Sequence, residues 1–233
     1  LGLSEFTTRL PGALFGSFSI LSFFFLAQVL FKQRLISLIS AFLISIAPWS
    51  VVLSRASAET IVALFFIITG YAFFIAGFKK KKAVYFIAGA IIATLSFFFY
   101  HSPRVFVPLV FLFTILYLYP LWKNFKVSLK ANLILSFFLL SLVSFIMVFL
   151  IAGGVGRFTQ VNIFKAPEVR LVMEEQIRED GSMKVSIPAT RLFHNKLTNY
   201  SIALISNYFE YFSGSFLFIQ GGLPVWYKVP SMG

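Results

Sequence analysis

The chain has 233 residues, 59% hydrophobic and 19% aromatic with 32 Phe, only 12% charged, and a mean hydropathy of +0.89. Soluble chains carry about a quarter charged residues, so this composition excludes an ordinary soluble domain and makes lipid the natural solvent. The net charge of +12 does not mark a nucleic-acid binder: residues 1–157 hold 13 Lys and Arg against Glu5 and Glu59, while residues 158–233 hold 7 against 6 acids. The surplus sits in the apolar part, where it reports orientation rather than a partner.

Residues 1–9 read as the end of an outer loop closing on Arg9. Six apolar runs follow: Leu10–Phe31, Leu35–Leu53, Thr60–Phe78, Ala83–Tyr100, Val105–Trp122 and Ala131–Ala152. Each has about the length that crosses 30 Å of hydrocarbon at 1.5 Å per residue. A spanning backbone must satisfy its own hydrogen bonds, and the alternation of a barrel is missing, so the runs predict helices. The expected fold is therefore an all-α integral membrane bundle of six transmembrane helices over residues 10–152.

The joints alternate in character. Lys32 and Arg34, then Lys79 to Lys82, then Lys123, Lys126 and Lys130 give nine cations and no acid, whereas the other joints carry Arg9, Arg55, Arg104 and Arg157 singly. Nine against four over short loops predicts that the first set is cytoplasmic. The N-terminus and residues 153–233 then lie outside the cytoplasmic membrane. A chain beginning outside at Leu1, with neither Met nor a signal pattern, reads as a fragment preceded by at least one more helix and its outer loop.

After Gly153-Gly154 the composition changes. Residues 167–181 predict one amphipathic helix, with Pro167 and Glu168 in its first turn, a stripe of Val169, Val172, Met173 and Ile177, and Gly181 as its stop. Residues 158–164 and 183–187 alternate weakly, as strands would, making residues 153–233 a small α+β extracytoplasmic loop region. Residues 199–220 are apolar and aromatic but interrupted by Asn207, Glu210 and Ser213-Gly214. That mixture suits a segment lying at the membrane–water boundary over the outer mouth of the bundle.

Chemistry-bearing residues concentrate at the outer joints. Arg55 and Glu59 are spaced i,i+4 and would pair on one helical face at the start of the third span, either as a site or to orient the helix end. Tyr100-His101-Ser102-Pro103-Arg104 sets an imidazole and a guanidinium in one corner, with Pro103 disfavouring helix at Ser102. A guanidinium fork matches two phosphate oxygens; the alternative for Arg104 is snorkelling to headgroups. Arg9, Arg55 and Arg104 together point to one anionic group at the membrane surface, a lipid phosphate. Pro48-Trp49 would kink the second span and open a gap beside it.

The absence of cysteine removes disulfides, thiolate nucleophiles, Fe–S clusters and thiolate zinc sites, and His101 and His194 are too few for a histidine-built metal site. Glu5, Glu59 and Glu210 are the outer carboxylates apart from those of the amphipathic helix, and no catalytic triad or phosphate-cradling glycine loop is present. No cofactor is identifiable, and a divalent metal, though compatible with phosphate chemistry, has no ligand motif here.

The runs RLPGALFGS (9–17), APWSVVLSRASAE (47–59), FYHSPRVFVPL (99–109) and NYFEYFSGSFLFIQGG (207–222) resemble successive landmarks of the bacterial glycosyltransferases related to protein O-mannosyltransferases and to the aminoarabinose transferase of lipid A. The resemblance covers most of the chain outside residues 158–190. It implies a GT-C bundle and an enzyme that transfers a sugar from a polyprenyl-phosphate donor to a glycan, lipid or protein acceptor on the outer face. The acid that activates the acceptor is expected upstream of Leu1. Arg9, Arg55 and Arg104 match the donor-phosphate positions, with Glu59, Tyr100 and His101 in support and Asn207, Tyr208 and Tyr211 on a closing lid. Where relatives often show His before Phe-Ser and an acid after the Gly, this chain has Tyr211 and Gly222. A transporter or lipid flippase is the competing class; it should show charges or broken helices at mid-membrane and an internal repeat.

Overall fold

The computed structural model describes residues 5–55, 59–151, 171, 174, 175, 178, 196–210 and 212–214, and all regular structure among them is helical. Contacts divide the chain into two compact units, Leu1–Ala152 with Leu223–Gly233, and Gly153–Gly222.

The first unit runs α1 (Glu5–Phe31), α2 (Arg34–Ile46), α3 (Pro48–Arg55), α4 (Glu59–Lys80), α5 (Ala83–Phe99), α6 (Pro103–Tyr117), α7 (Tyr119–Trp122) and α8 (Val127–Ile146), the last continuing as a π-helical turn, Met147–Ile151. Three helices are long and apolar enough to cross a membrane, over Phe6–Phe31, Glu59–Lys80 and Val127–Phe149; α2 and α3 together make a fourth if their 56° bend lies within one span. The apolar helices α5 and α6 are shorter.

The expected runs and the helices differ at identifiable places. Ala47 is extended (φ −64°, ψ 120°), because the ring of Pro48 disfavours helix at the residue before it, and the second run breaks there. The fifth run stops at Tyr117, and Pro120 sits in the separate short α7. The sixth starts at Val127, taking Lys130 into its first turn.

Two hairpins close in the same way. Lys32 (φ 56°) ends α1 and Lys81 (φ 54°) ends α4; each amide donates four residues back, to Gln28 O (3.1 Å) and Gly77 O (2.9 Å). This is the left-handed helix cap, here held by lysine instead of glycine. Gln33 and Lys82 are extended, and the next helix begins directly.

All three basic joints meet at one end. Lys79 Nζ donates to the α1 carbonyls Val29 O and, at 2.8 Å, Leu30 O, while Phe78 faces Phe125 of the α7–α8 connection at 6.4 Å between ring centroids. The opposite end gathers the other joints. There Phe66 of α4 stacks on Phe99 of α5 at 5.5 Å and 12°, and Ser144 Oγ of α8 donates to Arg104 O of α6. Arg9 and Lys32 are separated by about 35 Å along α1 at 1.5 Å per residue, enough to cross a bilayer core.

Packing between helices is aromatic at the centre and small or polar at the contacts. Phe74 is fully buried and lies 4.3 Å from the Phe111 ring and 5.6 Å from that of Phe86. Around it Phe78, Phe97, Val107, Leu133 and Leu140 complete a core between α4, α5, α6 and α8. Ser22 Oγ meets Thr69 Oγ1 at 2.8 Å, Ser37 Oγ donates to Gln28 Oε1 at 2.8 Å, and Tyr71 OH meets Thr114 Oγ1 at 2.9 Å. Meanwhile Phe25, Phe42, Phe98, Phe113, Phe138 and Phe145 are exposed. Hydroxyls between helices with phenylalanines outside reverse the order of a soluble protein and match a bundle whose solvent is lipid.

In the second unit, α9 (Lys196–Glu210) covers residues 199–210 of the segment expected at the membrane boundary, with Ile202, Leu204, Ile205, Tyr208 and Phe209 exposed and Asn199 buried. Of the expected 167–181 helix, Leu171, Glu174, Glu175 and Arg178 are described and all four are helical and exposed. The expected strands 158–164 and 183–187 lie outside the described residues.

Candidate functional site

At the arginine end, α5 turns into α6. The turn is made by Tyr100 (φ −142°, ψ 156°), whose amide donates to Ser96 O, while Ser102 is helical (φ −58°, ψ −39°) despite the proline after it. Pro103 stands at the first helical position, where its missing N–H costs nothing; the amides of Val105 and Phe106 then bond Ser102 O at 3.2 and 3.1 Å. The corner expected at Ser102 is thus moved two residues back, to Tyr100.

Arg104 is only 9% exposed. Its Nε donates to Phe97 O at 3.0 Å, filling one of the carbonyls left open at the end of α5, and its own carbonyl accepts from Ser144 Oγ. Through its side chain and its own carbonyl, Arg104 ties α5, α6 and α8 together at one corner. His101 and Tyr100 are exposed beside it, and His101 O accepts the Arg104 amide at 3.1 Å.

Arg55 is the last residue of α3 and Glu59 the first of α4, and both are exposed. The pair therefore does not share one helix, and among the described residues no ion pair joins them. Arg9 is exposed in the second turn of α1. Ser54, beside Arg55, packs against Gly16 of α1 so closely that a Cβ on Gly16 would lie 2.5 Å from Ser54 Cβ. The three arginines share an end, but Arg104 serves as a buried strut while Arg9 and Arg55 are exposed.

Of the expected lid residues, Tyr208 is exposed on α9, its ring 5.1 Å from that of Phe212. Asn207 lies in the same helix, and Tyr211 falls outside the described residues. Among the described residues no three His, Asp or Glu cluster to hold a metal.

Sequence reasoning missed the lysine end as a place for chemistry. A groove of about 690 Å³ lies there between the end of α1, α4 and α6, with Tyr71, Thr114 and Lys79 in its lining, and a second of about 490 Å³ lies among Lys81, Asn124, Lys126 and Asn132. The available signal was Tyr71 and Thr114, isolated polar residues within apolar spans.

No protein-family model, no curated protein and no solved structure matches the chain.

Proposed function

We propose that this chain is part of a membrane glycosyltransferase of GT-C type, which transfers a sugar from a polyprenyl-phosphate donor to an acceptor on the outer face. On this reading the bundle crosses the membrane six times, with α2–α3, α5 and α6 completing the set. The nine lysine-end cations face the cytoplasm, and the arginine end, with residues 153–233, faces outward.

The observation that carries the proposal is the arrangement at the arginine end. Arg104 is fixed in the YHSPR corner by its bond to Phe97 O, with His101 exposed alongside, in one of four ordered landmarks that resemble this enzyme family. A lipid-phosphate leaving group gains negative charge as its bond to the sugar breaks, so preorganised guanidinium groups at that phosphate stabilise the transition state. Arg55 and Arg9, exposed at the same end, supply further positive charge. The acid that activates the acceptor belongs, by the same resemblance, to an outer loop before Arg9.

The bend after Ala47 favours the transporter reading in one respect, since broken helices line substrate paths in transporters. The two readings separate in one assay. Full-length protein in vesicles, given a labelled polyprenyl-phosphate sugar, should release polyprenyl phosphate and form a glycosylated acceptor, and Arg55→Ala should slow that release at least tenfold. Movement of intact donor across the membrane without cleavage supports the transporter; cleavage at wild-type rate in an Arg9→Ala, Arg55→Ala variant overturns the phosphate site.

A further inference from the structure

The groove at the lysine end is lined by Tyr71, Ile75 and Phe78 of α4 and by Val110, Phe113 and Thr114 of α6, with Leu30 and Lys79 at one side. Its polar floor is already satisfied: Tyr71 OH meets Thr114 Oγ1, and Thr114 Oγ1 donates to Val110 O at 2.7 Å. What remains offered to an occupant is apolar, in a slot whose volume, about 690 Å³, lies within the range of small-ligand sites. A three-turn helix about 10 Å across and 16 Å long fills roughly 1,300 Å³. A helix can therefore cover this slot but not enter it, whereas a single hydrocarbon chain can follow it.

The depth and polarity of the mouth are marked. Tyr117 (84% exposed), Tyr119 and Trp122 stand at the same end, and Trp122 Nε1 donates to Ile115 O at 2.8 Å. Such amphipathic aromatics settle at headgroup level. Lys79 reaches the mouth from α4. Its ammonium has three N–H donors; two go to Val29 O and Leu30 O, and the third has no acceptor among the described residues. Lys32 ends α1, whose carbonyls Lys79 bonds, Lys80, Lys81 and Lys82 follow it in the chain, and no carboxylate occurs in any of the three basic joints.

We propose that this groove holds one acyl chain of an anionic phospholipid from the lysine-end leaflet, with the lipid phosphate accepting the third N–H of Lys79. The apolar slot takes the chain, the aromatic rim sets the depth, and the uncompensated cations select a negative headgroup. The site is at the opposite end of the bundle from the arginines and stands whether or not the protein transfers sugar.

The experiment is native mass spectrometry of the full-length protein released from nanodiscs of phosphatidylcholine with a minor fraction of phosphatidylglycerol. Wild-type protein should retain one phosphatidylglycerol. Lys79→Gln should lower that retention about fivefold, the worth of one lysine near an anionic surface, while Lys79→Arg preserves it. Val110→Trp, which fills the slot, should remove retained lipid of either headgroup. Lys130→Gln, outside the groove, should change nothing. Absence of retained phosphatidylglycerol in the wild type, an equal loss with Lys130→Gln, or unchanged retention with Val110→Trp overturns the proposal. Monodisperse elution of each variant separates loss of lipid from loss of fold.

Discussion

Gly70 of α4 and Gly89 of α5 meet backbone to backbone: a Cβ on Gly70 would lie 2.7 Å from Gly89 O, and a Cβ on Gly89 would lie 2.8 Å from Gly70 O. Neither site leaves room for a methyl group, since the obstructing atoms are main chain and cannot rotate aside. The crossing admits the helices to a distance at which dispersion between backbones contributes, the usual way small residues hold membrane helices together.

Gly70→Ala and Gly89→Ala should each therefore destabilise the bundle by on the order of 1–3 kcal/mol, the cost of overpacking a close contact. Gly214→Ala, at a position with nothing within 4 Å, should be near neutral. Thermal unfolding of the purified protein in one detergent provides the comparison, and an equal shift for all three would refute the crossing.

Arg104 and Arg55 should separate structure from donor use. Arg104→Ala strips the end of α5 of its bond to Phe97 O and should cost about 1.5–3 kcal/mol, as for hydrogen bonds to charged groups, along with activity. Arg55→Ala, at an exposed helix end, should leave the melting temperature within a degree or two while slowing cleavage of the polyprenyl-phosphate donor. Paired melting and rate measurements on both variants check the division.

Tyr71 OH and Thr114 Oγ1, 2.9 Å apart, join α4 to α6. A double-mutant cycle with Tyr71→Phe and Thr114→Val should give a coupling of about 0.6 kcal/mol, the average for polar contacts between membrane helices. A coupling near zero would mean that the pair does not bridge the helices.

Because the chain contains no cysteine, its orientation can be read by single replacements without background. Ser128→Cys at the lysine end and Ser102→Cys at the arginine end are both exposed positions. In intact cells a membrane-impermeant maleimide should label Ser102→Cys alone, and Ser128→Cys only after the membrane is opened. The reverse pattern would invert the assignment of the outer face.

The helices were legible where a local rule decides them. The apolar runs locate α1, α4 and α5 to within a few residues, and Pro48 announces the break at Ala47 through its own ring. Arg104 was harder. Its residue type and corner position suggest an exposed anion grip, yet nothing local tells that Phe97 O lies within reach of its Nε or that Ser144, 40 residues on, bonds its carbonyl. Ser102 misled for a related reason: the bias against helix before proline is modest, and two hydrogen bonds to Ser102 O outweigh it. The Gly70–Gly89 crossing and the lysine-end groove depend on which helix faces meet, and an all-apolar helix carries no stripe to disclose its inner side.

Lys79 also bears on how the chain is assembled. Val29 O and Leu30 O, at the end of α1, receive their hydrogen bonds from a side chain that is synthesised 50 and 49 residues later. When the α1–α2 hairpin first enters the bilayer those carbonyls must be served by interfacial water, and α4 replaces that water on arrival. The order of synthesis thus gives α4 a second task besides crossing: it seals the first hairpin from the lysine side, so that a chain interrupted before Lys79 leaves α1 with an unfinished end.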